Sequence, residues 1–104
     1  MEQNDALGQL LHLDRQLNIV EKDELKHQLI LHINYLLLND FNRLVQILYR
    51  VDVSEQKLKR LLQENPQTDA AIIIADLLME RQEEKIRIKQ TFRNDDNIPA
   101  DDKW

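Results

Sequence analysis

The sequence predicts an all-α fold, a compact bundle of four to five helices with a long C-terminal helix and an acidic mobile tail. Three observations carry that expectation. The 104 residues include one Gly and two Pro, too little of the material that strands and tight turns require. Charged residues make up 32% and aromatics 5%, which suits charged helix faces around an aliphatic core. Apolar residues also recur at helical spacing, most clearly at Phe41, Leu44, Val45 and Leu48, the i, i+3, i+4, i+7 positions of one helix face. The length corresponds to one domain, placed at 1–93 with 94–104 as the tail, and a chain of this size buries a modest core without staples.

Residues 5–20 read as a first helix. Leu7, Leu10, Leu11 and Leu17 lie on one side while Leu13 and Val20 drift from it. Gly8 inside that segment costs about 1 kcal/mol relative to Ala, so residues 1–20 are expected to pack loosely. A break near 18–22 precedes a stronger helix at about 23–38, whose Asp23 and Glu24 suit the positive end of the helix dipole. Its inner stripe is Leu25, Leu29, Ile33 and Leu36, widened by Ile30, Leu37 and Leu38, and a stripe that broad should touch two neighbours. Asn39 and Asp40 supply a turn or cap.

The centre of the chain, Asp40 to Gln63, reads as two short helices joined at Val51-Asp52-Val53-Ser54. Leu58, Leu61 and Leu62 give the second helix its apolar side, and either Asp52, with Glu55 three residues on, or Ser54 can cap it. Helices this short are marginal alone, so both depend on the segments flanking them. After Gln63-Glu64-Asn65-Pro66, with Pro66 suited to a first helical position and Asn65 or Thr68 able to cap, nothing breaks the helix before Arg93. That is about 28 residues, or ~42 Å at the α-helical rise. Ala70 to Met79 is apolar on nearly every side, as in a central bundle helix, whereas Glu80 to Arg93 is mostly charged, with Ile86, Ile88 and Phe92 left as a thin stripe.

Charge is banded along the chain: −4 over 1–40, +3 over 41–63, −4 over 64–80, +3 over 81–93 and −3 over 94–104, for a net −5. The basic bands either face a phosphate backbone or offset acidic bands of the same fold, and the second reading needs no partner. The absence of Cys excludes disulfide and thiol chemistry and fits a reducing compartment. Apolar runs such as Leu36-Leu37-Leu38 and Ile72-Ile73-Ile74-Ala75 fall far short of the ~18 residues of a membrane span. Met1-Glu2-Gln3-Asn4-Asp5 lacks the pattern of a secretory signal, so the cytoplasm is the expected location.

Chemistry finds little footing. His27 and His32 are five apart and point to different sides of a helix. Glu24 and His27 match Glu-x-x-His, but a dimetal carboxylate bundle needs a second such motif. One Gly cannot build a phosphate loop, and the only hydroxyl nucleophiles are Ser54, Thr68 and Thr91, of which Ser54 suits a cap. Asp76, Glu80, Glu83 and Glu84 read as a solvated face paired with Arg81, Lys85 and Arg87 rather than a cation site. No catalytic residue, cofactor or metal is therefore expected.

Two binding readings stay open. Residues 44–63 have a helix-turn-helix look, with Gln56, Lys57, Lys59 and Arg60 available to a groove, although Asp52 stands where such turns often have Gly. Alternatively, Ile86, Ile88 and Phe92 need cover from the first helix, from the tail or from a second copy of the chain, which gives a homodimer through the long helix. The spacing there is too irregular for a heptad seam. Trp104, at the end of the acidic tail, is a further docking candidate.

The stretches Asn39-Asp40-Phe41, Leu48-Tyr49-Arg50-Val51-Asp52-Val53-Ser54, Glu64-Asn65-Pro66, Ile74-Ala75-Asp76-Leu77 and Glu80-Arg81-Gln82 resemble a family of small, uncharacterised, all-helical bacterial proteins, over roughly residues 30–90. The resemblance implies a compact helical domain of the bacterial cytoplasm and carries over no activity or site. Tyr49, Arg50 and Arg81 join Ile86, Ile88 and Phe92 as the expected partner surface. The expected function is a non-catalytic protein–protein interaction or adaptor domain, possible as a homodimer, with no membrane contact. The alternative is a nucleic-acid-binding regulator acting through 44–63.

Overall fold

In a computed structural model, which describes residues 6–13 and 15–96, the last of these (92–96) by helical backbone alone, the chain folds into an all-helical bundle. Its elements are α1 (Ala6–Leu11), α2 (Ile19–Asn39), α3 (Phe41–Val51), α4 (Glu55–Glu64) and α5 (Ala70–Asp96). The tail beyond 96, Trp104 and the side chain of Phe92 lie outside the described residues.

The helix boundaries follow from the caps. α1 stops at Leu11 rather than running to residue 20. It is short but packed on the core, because Leu7 is buried and Leu10 is fully enclosed, whereas residues 15–20 are exposed apart from the half-buried Leu17. α2 starts four residues earlier than the acidic pair Asp23-Glu24 implies. Asn18 Oδ1 accepts from Glu21 N at 2.8 Å and the Glu21 carboxylate accepts from Asn18 N at 3.1 Å, a reciprocal capping box. The Arg15 guanidinium engages both Glu21 oxygens at 3.2 and 3.1 Å and holds its carboxyl below the ordinary carboxylate range.

Asp40 caps α3 through Arg43 N, and α3 closes on Asp52 in the left-handed region, with Val53 N donating back to Leu48 O at 3.0 Å. Ser54, not Asp52, caps α4, its Oγ accepting from Lys57 N at 3.1 Å. Asn65 closes α4 instead of opening the next helix, donating from Nδ2 to Leu61 O at 2.9 Å. Pro66 sits in the turn, and Asp69 Oδ1 accepts from Ala71 N at 3.1 Å where α5 begins.

α2 and α5 form the principal pair, with α1 and α3 packed on both and α4 resting chiefly on α5. The core holds Leu10, Leu29, Ile33, Leu44, Val51, Ile74 and Leu78, with Ala71 and Ala75 letting neighbours approach α5 closely. Leu25, Leu29, Ile33 and Leu36 face inward as expected, while Leu38 points outward at 85% exposure. In α3 the inward set is Leu44, Ile47 and Val51, so Phe41 is exposed and Val45 and Leu48 only half-buried. α3 carries two adjacent apolar arcs, and only tertiary packing selects which one enters the core.

Ion pairs join the helices. Lys22–Glu83 and Lys26–Asp76, both 2.7 Å, tie α2 to α5, and Lys57–Glu80 at 3.0 Å ties α4 to α5. Of these only Lys57–Glu80 joins a basic band to an acidic one; Lys22 and Lys26 are bases of the acidic 1–40 band, and Glu83 is an acid of the basic 81–93 band.

Candidate interaction surface

Among the described residues, two apolar surfaces remain uncovered. The first is a groove of about 280 Å³ between α3 and α4, walled by Phe41, Val45, Leu48, Tyr49, Leu58 and Leu62 with Glu55 and Lys59 at its edge. It exists because α4 buries none of its residues completely: Leu58, Leu61 and Leu62 lie half under solvent.

The second surface is the back of α2. At 100° per residue, Leu31, Tyr35 and Leu38 fall on one face, opposite the inward stripe of Leu25, Leu29, Ile33 and Leu36. They are 59%, 60% and 85% exposed. Residues 28–39, Gln-Leu-Ile-Leu-His-Ile-Asn-Tyr-Leu-Leu-Leu-Asn, contain no Asp, Glu, Lys or Arg in a chain that is 32% charged. Helices apolar all round are normally buried on every side, so this one has a side still to be covered.

The residues predicted as a partner surface do not form one patch. Tyr49 is exposed and walls the α3–α4 groove. Arg50 lies on another side of α3 and lines a cleft against α1. Arg81 is engaged within the fold, with Nη1 on Glu84 at 2.8 Å, Nη2 on Asp52 Oδ2 at 3.2 Å and Nε on the Asp52 carbonyl at 3.2 Å, so its guanidinium is held firmly charged. Ile86 is buried at 5% exposure and needs no second copy; of that stripe Ile88 is exposed, and the Phe92 side chain is outside the described residues.

Among the nucleic-acid candidates, Gln56 and Arg60 are exposed on α4, Lys57 is bonded to Glu80, and Lys59 faces Glu55 at 3.6 Å. The cleft beside the α3–α4 turn, about 330 Å³, is lined by Asp52, Lys57, Glu80, Arg81, Glu84 and Arg87, charges that largely satisfy one another. Glu24 and His27 both lie exposed on α2, and among the described residues no three of His, Asp and Glu gather at metal-binding distance. No helix among the described residues is long and apolar enough to cross a membrane.

Periodicity gives the inner face of α2 but not this one: it places Leu38 on the widened inner stripe and leaves Leu31 and Tyr35 without a role. The signal that does mark them is the missing charge over 28–39. No protein-family model, no curated protein and no solved structure matches the chain.

Proposed function

We propose that this chain is a non-catalytic protein-interaction domain that works as a homodimer, two copies meeting along the uncharged back of α2. The observation that carries this reading is the exposure of Leu31, Tyr35 and Leu38 within a charge-free segment. Interface cores are depleted in charge and enriched in aromatic and aliphatic anchors. A second copy suits this surface better than a charged partner does. Two chains of net charge −5 repel at long range, yet this patch brings no like charges face to face. An antiparallel α2 pair centred between Asn34 and Tyr35 sets each Leu31 against the other copy's Leu38, an isologous arrangement that closes on itself.

One helix face falls short of the ~800 Å² per partner of a standard interface, so the dimer is expected to be weak, with a Kd on the order of micromolar. Sedimentation equilibrium tests this. The expected result is a mass rising from one chain toward two as concentration rises, and a monomer for Leu31→Glu/Leu38→Glu with unchanged helicity. A wild-type chain that stays monomeric up to roughly 200 µM rules the reading out.

The second reading, nucleic-acid binding through α4, is favoured by the α3–turn–α4 geometry and the exposed Gln56 and Arg60, and weakened by the engagement of Lys57 and Lys59. It predicts steeply salt-dependent binding to bulk DNA, where the dimer reading predicts none.

A further inference from the structure

A cleft of about 300 Å³ between α1 and α3 has a different chemistry from the other surfaces of the molecule. Leu7, Leu11 and Ile47 supply apolar wall, and His12 from α1's end, His32 from α2, and Arg43, Gln46 and Arg50 from α3 supply polar groups. No carboxylate is among its described lining residues, whereas the grooves at α3–α4, at the α3–α4 turn and between α2 and α5 each contain at least one. Arg43 and Arg50 stand seven residues apart on one face of α3, and neither makes an ion pair among the described residues. In a chain with 19 acidic and 14 basic side chains, two unpaired guanidinium groups beside one cleft are not a product of scarcity.

Gly8 is the second, independent observation. It is the only Gly in the chain, it lies inside α1 where Gly is costly, and it lines this cleft. No turn or positive φ requires it there. What the absent Cβ provides is room beside the α1 backbone. His12 is held against the same turn, Nδ1 lying 2.8 Å from Gly8 O, which leaves Nε2 for another group.

We propose that this cleft binds a phosphate monoester whose organic part is apolar. A carboxylate presents two oxygens, which one guanidinium fork fills. A phosphate monoester presents three oxygens and about two negative charges, enough for both forks and for the Nε2–H of a protonated imidazole. The organic part rests on Leu7, Leu11 and Ile47.

The test is an amide-resonance titration of the ¹⁵N-labelled full chain with phenyl phosphate, inorganic phosphate and benzoate as probes. Phenyl phosphate is expected to shift residues around Gly8, His12, His32 and Arg43 to Arg50, and to bind about tenfold tighter than either comparison probe. Arg43→Gln/Arg50→Gln, at exposed positions and with unchanged helicity, is expected to lose that binding at least tenfold. Gly8→Ala is expected to weaken it while raising thermal stability, a combination that a purely structural glycine does not produce. Vesicles containing phosphatidic acid form a parallel arm: perturbation of the same residues by vesicles alone supports the phosphate class and assigns it to a lipid headgroup, and perturbation by phenyl phosphate assigns it to a soluble ester. No shift at about 10 mM phenyl phosphate with none on vesicles overturns the proposal. So do shifts spread equally over Arg60, Lys85 and Arg87, which would mark general charge screening.

Discussion

Asp52 sits at φ 69°, ψ 47°, the left-handed region where a β-carbon crowds the following carbonyl. Asp tolerates this better than most residues, and here its carboxylate and its carbonyl both receive Arg81 of α5. One residue thus ends α3, sets the angle to α4 and ties the turn to the long helix. Asp52→Val is expected to destabilise the chain by about 1–2 kcal/mol, because a β-branched residue strains most in this region. Asp52→Gly relieves the backbone but loses an exposed ion pair worth about 0–1 kcal/mol, so it should fall near wild type. Urea midpoints of the two variants measure the difference, and a Val variant as stable as the Gly variant would show that the backbone geometry is not what matters. At this scale the sequence was partly legible. Asp52 was noted as standing where Gly is common, and the structure supplies the reason that Asp is accepted, a partner 29 positions away that no local pattern could announce.

At the scale of elements, the start of α2 shows how a cap outweighs a dipole. Asp23 and Glu24 were attractive as first-turn acids, yet Asn18 and Glu21, at capping-box spacing, satisfy two orphan N–H groups reciprocally and pull the helix start to Ile19. Asn18→Ala is expected to cost about 1 kcal/mol in denaturant unfolding. The box is also pH-sensitive. The Arg15 hydrogen bond, then the Asn18 N–H, lower the Glu21 pKa below 4.5, so the folded state holds this proton more weakly than the unfolded state. The stabilisation is therefore complete above pH 4.5 and is lost as pH falls through the lowered value. Amides at the start of α2 should show lower protection factors at about pH 3 than at about pH 6 once the intrinsic pH dependence of exchange is divided out, and Arg15→Ala should move the Glu21 titration upward in a carboxyl-detected NMR series. α1 belongs to the same lesson. Its Gly8 and weak pattern pointed to loose packing, but Leu10 is fully buried, so Leu10→Ala is expected to cost about 2–5 kcal/mol; a cost below about 1 kcal/mol would return α1 to the periphery.

For the whole molecule, charge and apolar surface have separate tasks. The inter-helix pairs Lys26–Asp76 and Lys57–Glu80 are substantially solvent-exposed, and pairs of that kind contribute about 0–1 kcal/mol each, whereas in Lys22–Glu83 the Glu83 side chain is only 21% exposed. Which helix lies against which is set by the shared apolar core, and of these pairs only Lys57–Glu80 is the offset between opposite charge bands that the sequence suggested. The α2 back has no charges to screen. Raising salt from about 50 mM to about 500 mM shortens the Debye length and suppresses the repulsion between two chains of net charge −5, while leaving the Leu31, Tyr35 and Leu38 contact untouched. The dimer is thus expected to hold or tighten across that range, the opposite of a nucleic-acid complex, whose affinity falls steeply. Sedimentation equilibrium at both salt concentrations, on wild type and on Leu31→Glu/Leu38→Glu, separates the cases: a dimer that dissociates with salt would require a charged interface elsewhere on the chain, and a double variant that still dimerises would place the contact away from α2.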